Sequence, residues 1–212
     1  VATFYAHFDV RREGEAPPPA LTLRVCDSLS CALRGADELR RDLTTEMGPD
    51  VRVVRAPCMG RCHTAPAVEV GHNHVDEATV VSVKEAVSQS ALKPVIPAYQ
   101  DFDAYRADGG YTLLESCLAG TTERETLIAA MEDSGLRGLG GAGFPSGRKW
   151  RIVSNYPGPR LMAINADEGE PGTFKDRHFL ETEPHRVLEG MLIAAWVVEA
   201  DRVYFYLRDE YP

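Results

Sequence analysis

The sequence lacks any apolar run long enough to cross a membrane. Its longest such run, 191–198, has eight residues, whereas a helix that spans a bilayer needs about 20. Positive charge is also scarce, because 23 Lys and Arg stand against 32 Asp and Glu, for a net charge of −9. A protein that binds nucleic acid presents a basic surface to the phosphates. These two deficits argue against a membrane span and against a nucleic-acid partner.

Cysteine is sparse as well, with 5 residues in 212, and the N-terminal sequence has no secretory signal pattern. Hydrophobic residues make up 44% of the chain, which is enough for a packed core. We therefore expect a folded protein of the reducing cytoplasm, where disulfides are rare. The chain starts at Val1 within a helix-like pattern and stops just after a strand-like run. Both ends look cut, so we expect a fragment of a longer polypeptide.

The hydrophobic pattern predicts an α/β protein with two parts. The first part, 21–90, should contain strands at 21–25, 51–54 and 67–70 and helices at 30–47 and 78–88. The end of an N-terminal helical segment, 1–20, precedes it. A linker over 91–108, which contains Pro94 and Pro97, follows it. The second part, 109–212, should contain helices at 111–118, 123–133 and 184–200 and strands at 160–165 and 202–207.

Four of the five cysteines form two pairs, and each pair directly follows a predicted strand. The pairs are Cys26 with Cys31 and Cys58 with Cys62. Adjacent strands would bring both loops to one end of a sheet, where four thiolates could hold a metal or a cluster.

Three interpretations of the four cysteines compete. Disulfides are disfavoured in a reducing compartment, and structural zinc usually has tighter C-x2-C pairs. A 2Fe–2S cluster, held by four thiolates, is the interpretation we favour. We interpret the nearby His63, His72 and His74 as surface or packing residues, and the isolated Cys117 as a small buried hydrophobic residue.

The segments CDSLSC (26–31) and APCMGRC (56–62) resemble the thioredoxin-like 2Fe–2S ferredoxins. That family includes the small flavoprotein-associated subunit of respiratory complex I. The resemblance covers roughly residues 1–90. It implies a thioredoxin-like 2Fe–2S domain whose cluster is bound by Cys26, Cys31, Cys58 and Cys62.

Two further motifs lie in the second part of the chain. Residues 135–147 are rich in glycine, which lets backbone N–H groups approach a ligand, and Arg148 and Lys149 add positive charge. A helix after such a loop is typical of an anion site. The segment DEGEPGTFKD (167–176) follows a predicted strand and carries several carboxylates.

The strings GGAGFP (140–145) and DEGEPGTFKD resemble the flavin domain of the NADH-binding subunit of complex I and its relatives. The implied fold is an α/β FMN- and NADH-binding domain, incomplete in this chain. The resemblance implies that Phe144 stacks on the NADH adenine and that the catalytic Glu170 lies beside the nicotinamide. The other implied cofactor-binding residues, for FMN and NAD, are Gly138, Gly140, Gly141, Gly143, Lys149, Asn165, Asp167 and Glu168.

The order of the two domains in one chain most resembles the β (diaphorase) subunit of molybdenum- or tungsten-dependent, NAD-linked formate dehydrogenases. The implied partner is an α subunit that holds the pterin metal centre and further iron–sulfur clusters. A 4Fe–4S cluster is expected only beyond residue 212, because Cys117 is the sole cysteine after Cys62. The alternatives are the equivalent module of complex I or of an NAD-reducing hydrogenase, and a non-catalytic domain stabilised by zinc.

Overall fold

A computed structural model describes residue 8 and residues 10–139, 142–208 and 211. It divides into two compact units. The first unit contains residues 1–97, 167–178 and 207–212, and the second contains 98–166 and 179–206. The first unit therefore includes a segment from late in the chain. The proposed helix at the N-terminus lies largely outside the described residues, and residues 10–20 contain only a turn.

A four-stranded sheet organises the first unit. Its strands are β1 (Leu21–Cys26), β2 (Val51–Ala56), β3 (Val68–Val70) and β4 (Asn73–Val75), in the order β2-β1-β3-β4. Strands β1 and β2 are parallel and joined by a helical crossover, as parallel neighbours require. The β1–β3 and β3–β4 pairs are antiparallel. The three strands expected in the sequence are confirmed.

The helices of the first unit are α1 (Leu29–Leu33), α2 (Ala36–Glu46) and α3 (Val80–Ser88). The single helix expected over 30–47 is wrong. Gly35 has a φ of +84° and separates α1 from α2, a backbone conformation that ends a regular helix and favours glycine. Thr79 and Ser82 form a reciprocal capping box at the start of α3.

The core of this unit lies between the sheet and helices α2 and α3. Leu23, Leu43, Val68, Val70 and Val83 are fully buried there. Their positions follow the two-residue period of the strands and the helical period of α2 and α3. This packing fixes the end of β1, and with it the first cysteine loop.

Charged and titratable side chains form a row across three strands of the sheet. Arg24 lies opposite Glu69, which in turn lies opposite His74. Arg24 and Glu69 are 8% and 2% exposed, and a nitrogen and an oxygen of the pair are 3.9 Å apart. Burial, reinforced by the positive charge of Arg61, lowers the pKa of His74 to about 4.

The depressed pKa of His74 predicts that the first unit loses stability in mild acid. The unfolded chain takes up a proton on His74 below about pH 6.5, whereas the folded chain resists it down to about pH 4. We expect the free energy of opening the sheet to fall by about 2 kcal/mol between pH 7 and 5 from this residue. Hydrogen exchange of the β1 and β3 amides should show this dependence, and His74→Gln should flatten it. An equally steep slope in the variant would contradict this role for His74.

The second unit contains most of the remaining elements. They are α4 (Phe102–Ala107), α5 (Thr112–Leu118), α6 (Arg124–Asp133), α7 (Ser146–Ser154), β5 (Leu161–Ala166), α8 (Lys175–Thr182), α9 (Pro184–Val198) and β6 (Arg202–Leu207). Strands β5 and β6 are neighbours in a two-stranded sheet. Helix α8 begins in the first unit, and β6 ends there.

The second unit has its own apolar cluster. Ile128 of α6 and Val197 and Val198 of α9 are its buried centre, and Trp150 and Trp196 pack against it. Helix α4 lies within the range 91–108 that the sequence assigned to a linker. The boundaries of the linker stay a prediction. Among the helices of the described residues, none combines the length and apolarity that a membrane crossing requires.

Candidate functional site: the cysteine loops and the glycine-rich loop

The two cysteine pairs lie at the same end of the first unit's sheet. Cys26 is the last residue of β1 and lies opposite Ala56, the last residue of β2. Because β1 and β2 are parallel, the loops that follow them leave the sheet at one edge. The first loop leads through Cys31 in α1, and the second carries Cys58 and Cys62.

The four thiols of these loops contact one another. The Sγ atoms of Cys58 and Cys62 are 3.4 Å apart, and the Cys26 thiol hydrogen-bonds with both Cys31 and Cys58. Cys26, Cys31 and Cys58 are 1–3% exposed, and Cys62 is more accessible. All five cysteines lie among the described residues and are free thiols. The isolated Cys117 is 1% exposed, as expected for a small hydrophobic residue.

These contacts shift the acidity of the thiols in opposite directions. Donation to Cys31 raises the pKa of Cys26, and the same bond lowers the pKa of Cys31. The hydrogen bond to Cys26 is also the main reason why the pKa of Cys58 is raised. Burial raises the pKa of Cys62, although a backbone N–H of Gly172 opposes that shift. The group therefore forms a chain of thiols with Cys31 as its most acidic member.

The donor set fits a cluster with two metal ions. In the described part of the chain, no three His, Cys, Asp or Glu side chains are arranged around one point as a single ion would require. The four sulfurs adjoin one another, and four cysteine thiolates are the ligands of a 2Fe–2S cluster. The four adjoining cysteine thiols thus match the donor set of a 2Fe–2S cluster.

A later segment of the chain closes over the second cysteine loop within the first unit. The N–H of Gly172 donates to Cys62 Sγ at 3.0 Å. The Arg177 guanidinium, 6% exposed, donates to the carbonyl oxygen of Gly60 at 2.9 Å. The rings of His63 and Phe174 have centroids 4.5 Å apart. Gly172 and Arg177 were not among the residues predicted to serve the cluster.

The glycine-rich loop lies in the second unit and is closed at its base. Gly138 N donates to the Phe144 carbonyl at 3.0 Å, and Ser146 N donates to the Leu136 carbonyl at 2.8 Å. Gly143 has a φ of +61°, which glycine adopts without strain. Gly140 and Gly141, both expected to bind a cofactor, lie outside the described residues.

Helix α7, which the sequence pattern did not predict, starts directly at the end of this loop. Its first turn contains Gly147, where a Cβ atom would come within 2.7 Å of the Met131 carbonyl carbon in α6. Glycine therefore lets the helix start pack closely on α6. Phe144 is 43% exposed, and the Arg148 guanidinium lies 5.8 Å from its ring centroid. Lys149 is exposed on the first turns of α7.

The predicted residues of the acidic segment fall in different units. Asn165, near the end of β5, belongs to the second unit, and Asp167, Glu168 and Glu170 belong to the first. Asp167 and Glu170 are exposed, whereas Glu168 is 5% exposed.

The buried Glu168 anchors its own segment. Its carboxylate accepts from Asp176 N at 2.8 Å and from Lys175 Nζ at 3.2 Å. Arg208 Nη1 donates to the Glu168 carbonyl at 3.0 Å. These bonds hold residues 168, 175, 176 and 208 of the first unit together at the start of α8, so Glu168 has a structural task in addition to the cofactor role predicted for it.

Comparison with known proteins identifies both parts of the chain. Residues 1–91 match the family model of the thioredoxin-like [2Fe-2S] ferredoxins. Residues 131–212 match that of the Nuo51 FMN-binding domain. These matches confirm the predicted fold class and two of the predicted cofactors, a 2Fe–2S cluster and FMN.

Several curated relatives are subunits of NADH-quinone oxidoreductases. One from Aquifex aeolicus is 47% identical over 116 residues, which are 55% of this chain and 27% of the relative. Another, from Rhizobium meliloti, is 44% identical over 117 residues, which are 55% of this chain and 28% of the relative. The chain thus spans about a quarter of the length of the curated relatives that it matches.

A solved structure matches nearly the whole chain. An NAD+-reducing [NiFe]-hydrogenase in the air-oxidized state has a TM-score of 0.76 and 26% identity, over 99% of this chain and 40% of that one. NAD, the third predicted cofactor, is consistent with these relatives. This chain therefore combines a thioredoxin-like 2Fe–2S domain with an FMN-binding domain of the Nuo51 type, and is homologous to these NADH-quinone oxidoreductase subunits and to NAD-reducing hydrogenase.

Proposed function

We propose that this chain is an electron-transfer (diaphorase) module that passes electrons between NAD+/NADH, FMN and iron–sulfur centres. The observation that carries the proposal is the set of four adjoining thiols in a chain that also has an FMN-binding domain. A bound flavin exchanges electron pairs with a nicotinamide and single electrons with iron–sulfur centres, and the protein supplies orientation and local charge.

Each predicted residue has a task in this proposal. Cys26, Cys31, Cys58 and Cys62 ligate the 2Fe–2S cluster. The backbone of Gly138 and Gly143, with that of Gly140 and Gly141, lets the FMN approach closely. The exposed Lys149 supplies positive charge for a phosphate, and the positive end of the α7 helix dipole adds to it. Asn165, Asp167 and Glu168 bind the cofactor at the strand end, and Phe144 stacks on the adenine of NADH.

For the electron donor, we propose formate, oxidised on a partner α subunit with a molybdenum or tungsten pterin, in the cytoplasm. The fusion of the two domains supports this choice, as do the segments FYAHFD (4–9), CDSLSC (26–31) and DEGEPGTFKD (167–176), which resemble the β subunit of NAD-linked formate dehydrogenases. The test is formate-dependent NAD+ reduction by the anaerobically purified native complex that contains this chain. Activity supports the proposal. NADH oxidation by an artificial acceptor without formate activity would retain the module and reject formate.

The second candidate is the same module in a hydrogenase or in complex I. The match of an NAD+-reducing [NiFe]-hydrogenase over 99% of this chain favours it. Hydrogen-dependent NAD+ reduction by the same native complex would establish the hydrogenase form. Quinone reduction by NADH in isolated membranes would establish the complex I form.

The exposed carboxylate of Glu170 predicts a selective kinetic defect. The Glu170 carbonyl is held in a turn by Thr173 N at 3.1 Å and Thr173 Oγ1 at 2.6 Å, so Glu170→Gln should leave the backbone unchanged. We expect flavin reduction by NADH to slow roughly tenfold, because a positioning charge beside the nicotinamide is lost. Stopped-flow absorbance measures that rate in the native complex, and flavin content measures FMN retention. Equal losses of rate and flavin would make Glu170 a residue of the flavin fold.

A further inference from the structure

The sequence Glu170-Pro171-Gly172-Thr173 forms a tight turn, which we call the EPGT turn (residues 170–173). Thr173 N donates to the Glu170 carbonyl, and Gly172 has a φ of +89°. Proline at the second position and a positive φ at the third are the features of a type II β-turn. In such a turn the N–H of the third residue takes no part in the closing hydrogen bond. The N–H of Gly172 can therefore donate to another acceptor.

That acceptor is the sulfur of Cys62. The Gly172 N–H donates to Cys62 Sγ at 3.0 Å, across 110 residues of sequence and within one compact unit. Cys62 is the most accessible of the four thiols, since the others are 1–3% exposed. The group that covers the Cys62 sulfur therefore has a large influence on the negative charge that this sulfur carries.

Residues that follow the EPGT turn in sequence hold the turn against the second cysteine loop. Phe174 stacks beside His63 at 4.5 Å between ring centroids. Arg177, buried, donates to the Gly60 carbonyl. Gly60 itself has a φ of +69°, and a Cβ atom there would come within 3.3 Å of Arg177 Nε. The turn is thus anchored at several points and cannot reorient its N–H freely.

We propose that the EPGT turn sets the redox potential of the 2Fe–2S cluster by donating the Gly172 N–H to the sulfur of Cys62. The inference rests on the proposed function, because it requires a cluster on the four cysteines. Reduction adds one negative charge to the cluster. A donor to a ligand sulfur stabilises the more negative form and raises the potential. Gly172 is a positioning residue of the electron-transfer centre.

A matched pair of variants tests this inference. Valine at position 172 strongly disfavours a positive φ and should turn the N–H away from Cys62, whereas asparagine tolerates that conformation. Either side chain meets open space, because a Cβ at Gly172 has no neighbour within 4 Å in the described residues. Gly172→Asn therefore controls for the added side chain and for the loss of glycine.

The measurement is a redox titration of the cluster, rebuilt anaerobically on the 212-residue chain and followed by the EPR signal of its reduced state. We expect Gly172→Val to lower the ratio of reduced to oxidised cluster about tenfold at a given potential, a shift of about 59 mV to more negative values. Gly172→Asn should remain near the wild type. Equal potentials in Gly172→Val and the wild type, or equal shifts in both variants, would overturn the inference alone.

Two further outcomes are also decisive. If Gly172→Val fails to hold a cluster, Phe174→Leu replaces it, because this variant loosens the turn and keeps every backbone N–H. A negative shift in Phe174→Leu supports the inference, and the wild-type potential contradicts it. A wild-type chain that assembles no 2Fe–2S cluster would overturn the proposed function, and the inference with it.

Discussion

Replacement of Cys58 by serine is expected to abolish the EPR signal of the reduced 2Fe–2S cluster and to remove nearly all iron from the first unit. Cys58 is 3% exposed and adjoins the sulfurs of both Cys62 and Cys26, so it links the two loops. A cluster with one thiolate missing is released, because each iron needs its full ligand set. Binding free energy of a metal centre is also folding free energy. Residues 21–90 should therefore become less stable together with the loss of iron.

The control for this prediction is the fifth cysteine. Cys117 is 1% exposed in α5 of the second unit, and Cys117→Ala should retain the EPR signal and the iron. Iron, acid-labile sulfide and zinc are measured on the same samples. An unchanged spectrum in Cys58→Ser would refute its assignment as a ligand. Zinc without iron or sulfide in the wild type would replace the redox interpretation by the zinc-stabilised one.

The sequence was sufficient for the cysteine loops because their geometry is local. Each cysteine pair lies at or directly after the end of a strand, and pairing of β1 with β2 in register brings Cys26 level with Ala56. Apolar residues at every second position place the strands, and parallel pairing then brings the loops to one edge. Strand spacing and cysteine spacing therefore predict the same set of ligands.

Contacts between distant parts of the chain could not be predicted in this way. Nothing near Gly172 indicates that its N–H meets Cys62, since 110 residues separate them. The sequence Glu-Pro-Gly-Thr does predict a type II turn in which the N–H of Gly172 takes no part in the closing hydrogen bond. That N–H was the one sign in the sequence of a donor to another group. Gly35 was an underestimated local signal, because a glycine within an apparent helix marks a possible break.

A buried carboxylate in the second unit, that of Glu189, likewise could not be predicted from the sequence. Glu189 lies on the mostly apolar helix α9, where its burial could not be inferred. It is 9% exposed and accepts from the Tyr105 hydroxyl at 2.5 Å and from Tyr111 N at 2.9 Å. Burial, with the hydrogen bond to Glu189, raises the pKa of Tyr105 to about 12. Helix α4, in the predicted linker, supplies Tyr105, so its place depends on this partner.

Glu189→Ala is expected to destabilise the second unit by about 3 kcal/mol, because the buried Tyr105 hydroxyl and the half-buried Tyr111 N–H lose their acceptor and an unsatisfied buried donor costs about 1–3 kcal/mol. Tyr111 N precedes α5, and Tyr105 OH belongs to α4, so the carboxylate joins both helices to α9. Both tryptophans, Trp150 and Trp196, pack in the second unit. Urea unfolding followed by tryptophan fluorescence therefore reports on this unit.

Two further variants distinguish the effect of removing a buried carboxylate from the effect of removing an exposed charge. Glu115→Ala breaks the exposed ion pair with Arg106 and should cost less than about 1 kcal/mol. Glu189→Gln keeps the volume and one acceptor oxygen, so it should fall between the two alanine variants. A loss in Glu189→Ala no larger than in Glu115→Ala would show that the carboxylate does not hold α4 and α5 on α9. A loss of stability that increases from Glu115→Ala through Glu189→Gln to Glu189→Ala would instead show that the position of α4 depends on the Glu189 carboxylate, which lies 84 residues from Tyr105 in sequence.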